Sequence, residues 1–175
     1  MEGTQGSVFT PALEGIKLVK SEDGEMLTRP FLDACKHILP VIDKFGAAMT
    51  LVKSDIGGNI TVNTYLVVHF QVTRVDHYDR LVTFEAMDFL VELFRNLLEH
   101  PDWSMSQACT DSYGKTLKKW HGWLASSSFS IAMKLAPDRN KFMEVLGGDA
   151  VKCDIEQFLT TFNPLLQQNH KFLVR

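Results

Sequence analysis

A chain of 175 residues, 45% hydrophobic and 22% charged, has apolar mass for one substantial core and reads as a single domain spanning 1–175. Its formal charge of −3, from 18 basic against 21 acidic side chains, excludes nucleic-acid binding driven by a general positive field. Cys35, Cys109 and Cys153 are odd in number, far apart and without zinc-ligand spacing, so they read as reduced thiols with no metal site.

The opening MEGTQGSVFTPALEG lacks the basic start and apolar run of a signal peptide. No window approaches the roughly 18 apolar residues of a membrane span, and the expected location is cytoplasmic. Thr10-Pro11 predicts a helix start, with the helix running to about Lys20 before the polar loop SEDGE. Thr28 is placed to cap the next helix, RPFLDACKHILPVIDKF, whose Phe31, Cys35, Ile38, Leu39, Ile42 and Phe45 recur at helical spacing. Pro40 is expected to kink or interrupt it.

Another helical stretch is predicted from Gly46 to about Ile60. It contains KSDIGGNITVN, where Gly57 and Gly58 separate Asp55 from Asn59. Each glycine costs a helix about 1 kcal/mol against alanine. Two readings compete: an Asx-type turn, or a helix surface kept bare so that a polar ligand lies against two side chains one turn apart. A carboxylate accepts hydrogen bonds and an amide both donates and accepts, which suits a hydroxyl-rich group.

Residues 60 to 83 disagree with their surroundings: 11 of the 24 are β-branched and alternation is partial, predicting strand or extended chain. FEAMDFLVELFRNLLEH then gives the clearest helix, its stripe running from Phe84 to Leu98 and its end marked by His100-Pro101. The text SQACTDSYGKTLKKWHGWLASSSFSIAMKLAP predicts one long helix stopped before Pro137. On it Leu117, His121, Ala125, Ser128 and Ala132 would share a stripe, with Phe129 beside them. That stripe would bring Ser128 near His121, although nothing marks the serine as activated. PDRNKFMEVLGG predicts a short helix ending at glycine, and a last helix begins near Asp154 with Pro164 inside it.

His121 has a bland reading, a satisfied core or half-exposed imidazole, and a functional one, an N–H donor to a ligand amide or carbonyl. Trp123 suits either a core or a membrane interface. No G-x-S-x-G, P-loop, H-E-x-x-H or Rossmann glycine pattern is present, so the expectation is not an enzyme.

Taken together, VKSDIGGNIT and LKKWHGWLASSSFSIAMKLAPDR resemble the glycolipid transfer protein family, especially its plant-type members, over roughly residues 8 to 61 and 84 to 172. The resemblance implies an all-α, two-layer sandwich of helices that carries one sphingolipid between membranes without cofactor or chemical step. By motif position it implies Asp55 and Asn59 on the sugar hydroxyls and His121 on the ceramide amide. Phe31, Leu117, Phe129, Ala132 and Phe142 would line an apolar pocket, and Trp123 would touch the membrane transiently. The implied protein is a monomer whose partner is a glycosphingolipid such as glucosylceramide.

Two positions depart from the family pattern. The basic residue three positions after the asparagine is Val62 here. Where the family resembles L-W-L-T-R-A-M-D-F-L, this chain has L-V-T-F-E-A-M-D-F-L, with Val82 in the place of a tryptophan that would lie under the sugar. The segment between is about 30 residues shorter than the family's. These departures favour an alternative, an inactive family-like helical protein acting as lipid sensor or interaction module.

Overall fold

The computed structural model describes residues 7–69 and 77–173. The described elements are α1 (Thr10–Ile16), α2 (Thr28–Asp43), α3 (Thr50–His69), α4 (His77–Glu99), α5 (Met105–Lys115), α6 (Trp123–Lys134), α7 (Arg139–Leu146) and α8 (Ala150–Leu173). Short 3₁₀ turns occupy Gly46–Met49 and Leu117–Lys119. The loop between α1 and α2 closes through one isolated bridge, Lys20 to Met26, around Gly24 at φ 77°.

The helical starts fall one residue from those expected. Thr10 and Thr28 are the first helical residues, while Phe9 and Leu27 hold the cap positions without a side-chain hydrogen bond. Pro40 does not end α2, which continues to Asp43. Its ring removes the bond to the carbonyl of Lys36, an exposed residue where water can replace the lost donor.

The strand expectation for 60 to 83 is corrected: residues 60–69 complete α3 and residues 77–83 open α4, while 70–76 lie outside the described residues. Burial outweighs local propensity here. Ile56 and Ile60, one turn apart, are almost fully buried on the α3 face that packs against α2 and α4. Each such side chain contributes about 1.5–3 kcal/mol, against propensity differences of a few tenths per residue. Thr61 and Thr64 donate their hydroxyls to the carbonyls of Gly57 and Ile60, at 2.7 and 2.8 Å, so their polar atoms are satisfied within the helix.

Helices α1, α2, α3 and α4 pack in chain order, α4 also meets α5 and α8, and α8 closes back onto α1. The arrangement is the expected all-α, two-layer one. Its aromatic centre ties three elements together: Phe94 of α4 meets Phe9 at 5.2 Å and Phe158 of α8 at 6.0 Å, both edge to face. Farther along α8, Phe162 stacks on Phe31 of α2 at 5.6 Å. The carboxyl end of α4 is closed by Arg139, which donates to the carbonyls of Leu97, His100 and Trp103. One cation thus satisfies a carbonyl in the last turn of α4 and two in the turn that follows it. No helix among the described residues is long and apolar enough to cross a membrane.

Candidate functional site

Helix α3 continues through Gly57 and Gly58, so the D-x-x-x-N stretch is a helix surface and the turn reading fails. A methyl group on Gly57 would lie 3.8 Å from Leu39 Cδ1, and one on Gly58 would meet nothing within 4 Å. Gly58 therefore leaves bare surface beside Asn59. The Asn59 amide nitrogen is buried and, among the described residues, has no hydrogen-bond partner. A buried donor left unpaired costs about 1–3 kcal/mol, which a ligand acceptor would recover. Asp55 lies on α3 one turn earlier, but its side chain is outside the described residues, as is that of Val82 on α4. Val62, one turn beyond Asn59, is 49% exposed.

The long helix predicted around His121 is instead three pieces. Thr116 leaves the helical region at φ −116°, ψ −81°, and Gly122 is extended before α6. His121 thus sits in the break, immediately before the cap of α6, and the predicted stripe from Leu117 to Ala132 is not one helix face. Its Nδ1 lies 3.0 Å from the Tyr113 hydroxyl, which lies equally close to Ser126 Oγ. Ser126 Oγ donates weakly to the His121 carbonyl at 3.3 Å. Ser128 is exposed and not part of this network, which corrects the expectation that it approaches His121.

Tyr113 was not anticipated from the sequence, yet a signal exists. Met105, Ala108, Cys109, Ser112 and Tyr113 form the buried face of α5 at helical spacing. A buried tyrosine needs a partner for its hydroxyl, and His121 and Ser126 follow it by 8 and 13 residues.

The expected pocket residues are spread through one core cluster. Phe129 stacks on Tyr113 at 4.1 Å, meets Phe89 edge-on at 5.5 Å and lies 6.2 Å from the His121 ring. Leu117 is buried in the same core cluster, and Ala132 packs against it. Phe31 and Phe142 instead pair with Phe162 and Phe45. Helix α6 packs against the Gly46–Met49 turn, which leads into α3. Among the described residues no hydrogen bond joins Asn59 to His121. Trp123, in the first turn of α6, is 81% exposed.

Burial pushes the Cys109 thiol up to about 12 and that of Cys35 higher still, so neither is a thiolate near neutral pH. Behind Tyr113, Asp111 accepts from Lys115 at 2.7 Å and from the Asn96 amide at 2.9 Å. These contacts, the lysine's first, hold its carboxyl below the usual carboxylate range.

The family model described as "Glycolipid transfer protein (GLTP)" matches residues 26–65 and 80–148. Glycolipid transfer protein 1 of Arabidopsis thaliana is 58% identical in an alignment of 196 residues, covering 97% of this chain and 94% of the relative. That alignment is longer than the 175-residue chain, so the relative carries residues that this chain lacks. Among solved structures, human ceramide-1-phosphate transfer protein in complex with 2:0 ceramide-1-phosphate superposes with a TM-score of 0.83 at 17% identity, over 97% of this chain and 96% of that one. The fungal glycolipid transfer protein HET-C2 gives 0.79 at 20% identity, over 98% and 94%. At these identities the two structures bear on the fold alone.

Proposed function

This chain belongs to the glycolipid transfer protein family, and on that premise we propose that it binds a glycosphingolipid such as glucosylceramide and carries it between membranes without a chemical step. Asp55 and Asn59 take the sugar hydroxyls, His121 donates to the ceramide amide region, and Leu117, Phe129 and Ala132, with Phe31 and Phe142 deeper in the core, face the chains. Trp123 supplies transient contact with the membrane, and the carrier works as a monomer in the cytoplasm. The observation that carries this reading is the buried, unpartnered amide of Asn59 on a helix surface kept bare by Gly58.

At ~0.8 kcal/mol per buried CH₂, a chain of about 16 carbons loses on the order of 10 kcal/mol on entering water. A carrier therefore depends chiefly on apolar burial, while the polar groups select the headgroup, since unmet donors penalise the wrong one. The test is transfer of fluorescent glucosylceramide from donor to acceptor vesicles. Wild-type chain is expected to transfer it, and Asp55→Val and His121→Leu to drop to background with unchanged circular dichroism. Undiminished transfer by both variants would reject the site assignment.

A second reading, lipid sensor or interaction module, is favoured by Val62 and Val82, which supply neither the charge nor the flat ring of the family pattern. A folded wild-type chain that binds glucosylceramide vesicles yet moves no lipid supports it.

A further inference from the structure

Where α4 packs against α8, two carboxylates and an imidazole converge. Glu85 and Asp88 are three residues apart on α4, which sets them on one helix face, and His170 approaches from α8. One ligand atom from each lies within 4.8 Å of the other two. His170 Nε2 is 2.6 Å from Asp88 Oδ2.

The cations around these groups stand off from Glu85. Glu85 is 5% exposed. Its nearest cation, Lys119 Nζ, stands at 3.8 Å, beyond hydrogen-bond reach, and lies over the Trp120 ring at 5.0 Å. Lys115, the next candidate, is held by Glu92 at 2.8 Å and Asp111 at 2.7 Å, and Arg95 is paired with Glu92. A carboxylate nine-tenths buried, its nearest cation at 3.8 Å and a second carboxylate one turn away, gains from a cation in direct contact.

We propose that Glu85, Asp88 and His170 form a binding site for a divalent transition metal of the zinc class. One imidazole nitrogen and two carboxylate oxygens match that class, whereas calcium and magnesium favour larger all-oxygen shells. Ligand atoms around a tetrahedral ion with bonds of about 2.0–2.1 Å stand roughly 3.4 Å apart. Side-chain rotation brings the three atoms, now within 4.8 Å of one another, to that spacing as the His170–Asp88 contact opens to admit the ion. Coordination through Nε2 requires the imidazole to give up its contact with Asp88 and bind as the neutral ring. The cluster lines a solvent-open groove of about 290 Å³, which leaves water to complete the coordination. The bound ion would staple the end of α8 to α4.

The experiment is calorimetric titration of the full chain, stripped with a chelator, with Zn²⁺ at pH 7.5. One equivalent is expected to bind and raise the thermal midpoint, and both effects should weaken by at least about tenfold in affinity in Glu85→Gln and His170→Gln. No saturable uptake by the wild-type chain, or equal uptake in wild type and both variants, overturns the proposal. Co²⁺ loading of the wild-type chain decides independently of whether the variants fold. Absorption of a nitrogen- and oxygen-ligated ion, with proton NMR broadening centred on His170, supports the site. A thiolate charge-transfer band assigns the ion to exposed Cys153 and overturns it.

Discussion

The Tyr113 hydroxyl lies 3.0 Å from both His121 Nδ1 and Ser126 Oγ, and it has one proton to give. Given to Nδ1, that proton fixes the imidazole with its own N–H at Nε2, free to donate outward; given to Ser126, it leaves Nε2 an acceptor. The proposed role of His121 requires the first arrangement, in which the Ser126 proton turns from the His121 carbonyl to the Tyr113 oxygen. Tyr113→Phe keeps the ring that stacks on Phe129 and removes only the hydroxyl. It is expected to lower glucosylceramide transfer about tenfold, the equivalent of one hydrogen bond of ~1–1.5 kcal/mol, with little added loss when combined with His121→Leu. Vesicle transfer rates checked against circular dichroism measure this, and wild-type rates in Tyr113→Phe would refute control of the tautomer. Asp111 sets a pH dependence of opposite origin. Its folded carboxyl titrates below the unfolded value of about 3.9, chiefly because Lys115 donates to it, with the Asn96 amide adding to the effect. A lowered carboxylate pKa gives stability that is present above the unfolded value and is lost as pH falls through the folded one. Urea midpoints of Asp111→Asn should therefore trail the wild type by a constant amount above about pH 5 and converge with it below pH 4. A gap unchanged at pH 2.5 would show that the carboxylate's charge is not the source.

Among the elements, α3 shows most plainly how packing overrides local preference. Two glycines, three threonines and a run of valines read as turn and strand, yet Ile56 and Ile60 hold the segment against α2 and α4 as a helix. The glycines then carry a measurable cost. Gly58 is helical and its added methyl group would meet nothing, so Gly58→Ala should raise stability by about 0.5–1 kcal/mol in chemical denaturation. If that bare surface receives the sugar, the same variant should lose glycolipid transfer; a stabilised variant with full transfer would make the glycine incidental. The opposite error occurs between α5 and α6. Apolar periodicity runs on through LKKWHGW, but Thr116 and Gly122 adopt non-helical backbone and the chain breaks there. Spacing along a helix could not reveal this, because Leu117 and Phe129 are buried on either side of the break just as they would be on one continuous face.

At the scale of the whole molecule, Phe9, Phe94 and Phe158 join α4 and α8 to the residue that precedes α1. Phe94→Ala opens a cavity at that junction and is expected to cost about 3–5 kcal/mol in denaturant unfolding. A loss below 1 kcal/mol would mean that the junction collapses onto the vacated space. The family's polar motif and its H-G-W motif lie on separate elements, α3 and the start of α6, and α6 packs on the Gly46–Met49 turn that leads into α3. The alignment with Arabidopsis thaliana Glycolipid transfer protein 1 places extra residues in the relative, and the family model leaves 66–79 unmatched. Helices α3 and α4 nevertheless pack directly on one another across that region.

By itself the sequence determined the helical class, most helix faces and the family, because amphipathic periodicity and the two motifs are local patterns that survive without knowledge of neighbours. Asp55 and Asn59 were legible as a pair only through the motif, since the turn and the helix explain the same glycines equally well. Tertiary structure decided the rest. It made residues 60–69 and 77–83 helical, put Tyr113 on His121 and left the Asn59 amide unpaired. It also turned Glu85, Asp88 and His170 toward a common point, with the histidine 82 residues from Asp88 in the chain. Each of these depends on which surfaces are withdrawn from water together. That free energy belongs to contacts between distant segments, where burial of one side chain exceeds the local preferences that a sequence displays.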